Sequence, residues 1–214
     1  GSPLPQGLGT GQLFVENYEG APLLLEGEEL WYGTPPQRNY RAELRQFHER
    51  WISPSPTLEV HTSGSTGAPR PIEVSKLSMW ASAEATLQAL SLQPGNTALL
   101  AMPLRYIAAQ MMVVRAMAGG LQLLPVVPSL HPYAQLHEAL DFAALTPAQV
   151  YESLRVPHEH SLLRRTLCLI IGGGAISPEL EAELARFPNP VWSTYGMTET
   201  LSHIALPRPN GPGA

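Results

Sequence analysis

Residues 58–74 read LEVHTSGSTGAPRPIEV. Two short apolar runs, Leu58–Thr62 and Ile72–Val74, have the composition of strands, and between them lies a loop of small residues. In His61–Pro71, six of the eleven residues are Ser, Thr or Gly. Glycine lets backbone amides approach an anion closely, and hydroxyl groups add donors around it. Arg70 adds a positive charge, so the segment has the makings of a phosphate cradle. It does not have the spacing G-x-x-x-x-G-K-[ST] of the nucleotide-triphosphate P-loop. A Ser/Gly turn without a ligand has the same composition, so the neighbouring sequence must decide.

Downstream, strands and helices alternate. Ser75 can cap a helix reaching about Leu90, and Pro94-Gly95 turns the chain. Thr97–Met102 is a strand, Tyr106–Ala118 an almost wholly apolar helix, and Gly119-Gly120 its stop. Leu121–Val127, Phe142–Leu145, Leu167–Ile171 and Val191–Thr194 are further strands. Helices are expected at Pro132–Leu140, Pro147–Leu154 and from Pro178 to about Phe187. Continuous apolar strands between helices predict an α/β fold, a mainly parallel sheet flanked by helices on both faces. Upstream, Phe14-Val15 and Leu23–Leu25 read as short strands. In Tyr40–Trp51, Leu44, Phe47 and Trp51 fall on one helical face. Residues 1–57 are therefore expected to pack on a core formed by residues 58–206, with 207–214 a terminal loop.

Composition excludes several classes. The chain has 214 residues, net charge −5 and no basic stripe, which argues against nucleic-acid binding. No apolar stretch reaches the length of a membrane span, and the first residues do not have the pattern of a signal peptide. One cysteine, Cys168, excludes an internal disulfide framework and fits a reducing, cytoplasmic setting. It lies in an apolar strand and is expected to be buried and inert. Twelve of the 13 basic residues are Arg; the one lysine is Lys76.

A second chemical segment, STYGMTET at 193–200, follows the last strand. It combines an aromatic face for a base, a hydroxyl for a phosphate and a carboxylate for a hard cation. A third, GGGA at 172–175, follows Leu167–Ile171 and suits close backbone approach to a flat ring, or simply a strand-to-helix turn. In MPLRYIAAQMMVVR at 102–115, two arginines and Gln110 interrupt an apolar helix. A buried charge there needs a partner; the other reading has Arg105 at the solvent-exposed helix entrance and Arg115 extending to the surface. The histidines have no convincing metal-ligand spacing.

Together these segments, in this order, resemble the signatures of the adenylate-forming enzymes: acyl- and aryl-CoA synthetases, luciferases and peptide-synthetase adenylation domains. In that family the position of Arg70 is usually Lys. The resemblance covers about Leu58–Leu206. It implies that Thr62, Ser63, Gly64, Ser65, Thr66, Gly67 and Arg70 hold ATP phosphates. It implies that Gly173, Gly174, Ala175, Tyr195 and Gly196 form the adenine pocket, that Thr198 meets the α-phosphate, and that Glu199 ligates Mg²⁺. Arg70, Thr198 and Glu199 would then be the catalytic group. Arg105, Tyr106, Gln110, Arg115, Ser202 and His203 are candidates for the acid substrate. Where the family has an aromatic or histidine near the helix start, this chain has Arg105-Tyr106, so no histidine role carries over.

The runs PLRYIAAQMMVVRAMAGG, DFAALTPAQV, LIIGGGAIS and TYGMTETLSHIAL narrow the likeness to the o-succinylbenzoate–CoA ligases of menaquinone synthesis. The resemblance implies ATP, Mg²⁺ and CoA as cofactor and co-substrates and a small carboxylic acid as partner. It also implies a cytoplasmic setting with no membrane or nucleic acid, and a homodimer is compatible with it. Other members of the family place a ribose-binding aspartate, a hinge arginine and a catalytic lysine beyond the second signature. The chain ends 14 residues after Thr200, so it is expected to be the N-terminal region of a longer enzyme. Alternatives are another aryl- or acyl-CoA ligase, or a non-catalytic nucleotide-binding relative.

Overall fold

A computed structural model describes residues 4–25, 33–61, 68–194 and 204–205. Its centre is a sheet of strands β1 (Phe14–Val15), β4 (Thr97–Leu100), β5 (Gln122–Pro125), β6 (Phe142–Leu145), β7 (Cys168–Ile171), β8 (Val191–Thr194) and β9 (Ile204–Ala205), in the order β1-β5-β4-β6-β7-β8-β9. All pairings are parallel except β8 with β9. The remaining strands, β2 (Thr57–His61) and β3 (Pro71–Ser75), form a separate antiparallel hairpin. The expectation of a mainly parallel α/β sheet therefore holds, but the two strands flanking the Ser/Gly loop do not belong to that sheet.

The apolar strands divide residue by residue between two cores. Ala98, Leu100, Leu123, Phe142, Ala144 and Ile170 face one side, where helices α1 (Pro35–Ile52), α2 (Lys76–Ala89) and α3 (Ile107–Gly119) contribute Leu44, Met79 and Met112. Leu99, Ala101, Leu124, Ala143, Leu145, Leu169 and Ile171 face the other. There α4 (Pro147–Leu154), α5 (Pro157–Arg165) and α6 (Pro178–Leu184) contribute Val150, Leu162 and Leu180. A strand covered on both faces has no use for alternation with polar residues, which is why these runs are continuous.

Local chemistry sets the helix ends. Thr34 with Gln37 and Thr146 with Gln149 form capping boxes at α1 and α4, each followed by proline in the first turn. At the end of α3, Gly120 takes φ 63°, a left-handed stop that suits glycine. Lys76 is fully buried, with Nζ donating to the carbonyl and hydroxyl oxygens of Ser53 at 2.9 and 3.2 Å. Burial, then the charge of Arg50, lowers its pKa. The chain's one lysine thus ties the start of α2 to the C-cap of α1.

Residues 132–140 do not form the expected helix. The segment is a series of turns held from outside: Leu136 O accepts from His158 Nε2 (2.7 Å), the Tyr133 hydroxyl meets Thr166 Oγ1 (2.7 Å), and His131 Nδ1 lies 3.0 Å from Glu159 Oε2. Leu23–Leu25 likewise forms no strand; its neighbour Pro22 makes a single bridge to Glu16.

Candidate active site

The strand order reverses at β4. From β4 the chain crosses through α3 to β5 on one side, and later enters β6 on the other side of β4. The connections leaving β4 and β6 therefore run to opposite faces, α3 on one and α4 on the other. The crevice between them, at the carboxyl edge of the sheet, is where open parallel sheets bind ligands. Two of the sequence segments lie at this edge, Met102–Tyr106 after β4 and Gly172–Ala175 after β7, together with Ser193 and Thr194 at the end of β8.

Gly173, at φ +83°, takes a backbone conformation that residues with a side chain rarely adopt, and Gly174 is also exposed. A Cβ on Gly174 would lie 3.6 Å from Pro147 Cγ, and one on Gly173 would lie 3.9 Å from Thr146 Cγ2. The glycine turn thus lies against the first residues of α4, leaving a bare exposed backbone wall beside the crevice. Ala175 is exposed next to it.

The sequence reading did not single out Gln149, which organises this edge. Its side-chain oxygen accepts from Thr146 N (3.0 Å), and its Nε2 donates to Ala101 O (2.9 Å) and Ser129 O (3.0 Å). One amide joins the α4 start, the end of β4 and the loop after β5. The spacing T-P-x-Q, a capping box, was the available signal. Tyr40, also missed, reaches from α1 to the carbonyl of Met102 (2.6 Å) and holds the loop after β4.

The candidate acid-site residues separate. Arg105 and Tyr106 are exposed. The Arg105 guanidinium lies 4.7 Å from the Tyr106 ring centroid and donates to its hydroxyl at 3.1 Å. This is the solvent-exposed helix entrance. Gln110 is buried and donates to Leu104 O at 2.9 Å, while its Oε1 has no hydrogen-bond partner among the described residues. Arg115 does not extend to the surface. It is 2% exposed, its Nε has no hydrogen-bond partner, and no carboxylate pairs with it among the described residues. Burial alone lowers its pKa to about 10. An unpaired buried guanidinium is costly in a folded chain unless something else meets it.

Arg70 stands exposed just ahead of β3. The loop residues Thr62, Ser63, Gly64, Ser65, Thr66 and Gly67 lie outside the described residues, as do Tyr195, Gly196, Thr198, Glu199, Ser202 and His203. Cys168, half-buried, places Sγ 3.8 Å from Leu90 O, and burial followed by the charge of Asp141 pushes its thiol pKa up, away from reactivity. Among the described residues no group of three His, Cys, Asp or Glu is placed to hold a metal, and no helix is long and apolar enough to cross a membrane.

The model of the AMP-binding enzyme family matches residues 23–213, and the chain belongs to that family. Among curated proteins it is similar to the 2-succinylbenzoate–CoA ligase of Bacillus cytotoxicus, 30% identical over 151 residues that make up 68% of this chain and 31% of that protein. Among solved structures it is similar to an acyl-CoA synthetase (AMP-forming)/AMP-acid ligase II-like protein from Dyadobacter fermentans. There the identity is 37% and the TM-score 0.77, covering 86% of this chain and 53% of that one. The o-succinylbenzoate CoA synthetase of Bacillus subtilis, solved with the acyl-adenylate intermediate, shares the fold at TM-score 0.59 and 24% identity, over 71% of this chain and 31% of that one. The chain spans about a third of the length of the curated relatives it matches.

Proposed function

We propose that this chain forms the nucleotide- and acid-binding part of an AMP-forming acid–CoA ligase whose acid is o-succinylbenzoate, an enzyme of menaquinone synthesis. The observation that carries the substrate is Arg115: a buried cation with no carboxylate partner among the described residues, on the helix that leaves the carboxyl-edge crevice. o-Succinylbenzoate has two carboxylates and only one is activated. The other, entering an apolar site, needs a cation, and guanidinium meets it with two parallel donors. Arg115 lies eight residues into α3, so roughly 12 Å along the helix from the crevice, a depth suited to the far end of an elongated acid. Similarity to 2-succinylbenzoate–CoA ligases supports the same choice.

In the first step a carboxylate oxygen of the acid attacks the α-phosphorus of ATP. The bond to the bridging oxygen breaks, and pyrophosphate leaves. In the second, the CoA sulfur attacks the acyl carbon, AMP leaves, and the thiol proton passes to solvent. No protein nucleophile is required. Thr62, Ser63, Gly64, Ser65, Thr66, Gly67 and Arg70 hold the β- and γ-phosphates. Gly173, Gly174, Ala175, Tyr195 and Gly196 hold adenine, Thr198 meets the α-phosphate, and Glu199 holds the Mg²⁺ that offsets phosphate charge. These roles are positioning and charge neutralisation. Such an enzyme works in the cytoplasm on small molecules and is compatible with a homodimer.

The test is substrate discrimination. Arg115→Met in the full-length protein should slow adenylation of o-succinylbenzoate by about 2–4 kcal/mol more than adenylation of an analogue lacking the distal carboxylate. Equal losses on both acids would remove Arg115 from recognition of the second carboxylate.

A further inference from the structure

A hollow of about 500 Å³ lies on the opposite edge of the molecule from the crevice. It is lined by Arg155 at the C-cap of α4, by Pro157, His160, Arg164 and Arg165 of α5, and by Pro188. Arg164 and Arg165 stand just ahead of β7, and Pro188 just ahead of β8, so both chain segments reach the sheet at its amino edge.

Three arginines in a chain of net charge −5 would ordinarily find carboxylates. Among the described residues no Asp or Glu lines the hollow. Glu159, the acid nearest in sequence on α5, is 3% exposed and turned to His131. None of the three guanidiniums makes an ion pair among the described residues. Arg155 lies 5.4 Å from the Tyr151 ring centroid and donates through Nη1 to its hydroxyl at 2.8 Å, and its other nitrogens make no hydrogen bond among the described residues. Among the described residues Arg165 donates only Nε, to Ser161 O at 3.3 Å. Arg164 is exposed. The His160 ring is stacked on Phe187, 5.9 Å between centroids, and forms one wall; Pro157 and Pro188 form others. Like charges held around one cavity repel until an anion enters, and guanidinium forks match phosphate oxygens.

We propose that this hollow is a second anion site, distinct from the nucleotide crevice, that takes a multiply charged phosphate group such as that of pyrophosphate or a phosphate ester. The site does not depend on the identity of the acid substrate. Three guanidiniums line the one hollow, so a diphosphate, with more oxygens to meet them, binds it more tightly than a single phosphate does.

The probe is inorganic pyrophosphate, titrated at constant ionic strength into the isotope-labelled whole chain while the arginine Nε–H resonances are followed. Saturable shifts are expected at Arg155, Arg164 and Arg165, separate from any at Arg70. The double substitution Arg164→Glu with Arg165→Glu alters exposed side chains only, and should weaken the α5 response about tenfold or more while leaving the Arg70 response in place. Arg155→Ala should weaken it less, and serves if the double variant fails to fold. Shifts reproduced by sodium chloride alone, or none at the three arginines, would overturn the proposal. So would a response of these arginines to phosphatidic acid vesicles but not to pyrophosphate, which would make the surface a membrane contact.

Discussion

Arg115 is charged at neutral pH in a setting where burial lowers its pKa from the ordinary guanidinium value to about 10. Such a displacement corresponds to roughly 3 kcal/mol of disfavoured charge. A thioether of similar length has no such cost, so Arg115→Met should stabilise the ligand-free chain by about 1–3 kcal/mol and raise its melting temperature by several degrees. The sign of the pH dependence follows. Above pH 10, and below the ordinary guanidinium pKa, the unfolded chain keeps this proton and the folded chain has lost it. Stability therefore rises with pH there, and the advantage of the methionine variant shrinks. Thermal melts at neutral and alkaline pH check this; a lower melting temperature for Arg115→Met at pH 7 would mean that the charge is compensated. The sequence showed a charge in an apolar helix but not its destination. A guanidinium on a helix fully covered by neighbours cannot reach the surface, and that covering is a tertiary fact.

Helix α4 illustrates how much one element can depend on a single amide. Gln149→Ala removes the capping box and leaves the carbonyls of Ala101 and Ser129 without this donor. The expected cost is about 2–3 kcal/mol, or a melting temperature lower by about 5–10 °C. The packing of Thr146 and Pro147 against Gly173 and Gly174 should loosen with it, and calorimetry of the variant checks the cost; an unchanged melting temperature would deny Gln149 its bridging role. Elements with strong local signals were legible. The apolar runs of β4 to β8, the Gly119-Gly120 stop and the capped start of α2 all appear where the sequence places them. Elements set by distant partners were not. Tyr133, Leu136 and Leu140 have near-helical spacing and are buried, yet His158, Glu159 and Thr166 hold that segment as turns. Helix α5 itself was missed, because PHEHSLLRR has only two adjacent leucines to bury. The hairpin of β2 and β3 reads locally like two strands of the main sheet, since pairing direction is not written in a strand of five residues.

At the scale of the molecule, two cores share one sheet, and the chain reverses at β4 to open a crevice at the carboxyl edge. The GGGA turn, the loop after β4 and the end of β8 meet that edge because each follows a parallel strand. This geometry, with membership of the AMP-binding enzyme family, makes acyl-adenylate formation the central claim. The measurement that tests it most directly is exchange of labelled pyrophosphate into ATP by the full-length protein with Mg²⁺ present. Exchange should depend on added acid, and o-succinylbenzoate should support it far better than benzoate or a fatty acid. Exchange driven equally by benzoate or a fatty acid would contradict the proposed substrate, and no exchange with any carboxylic acid would contradict the adenylation reading itself.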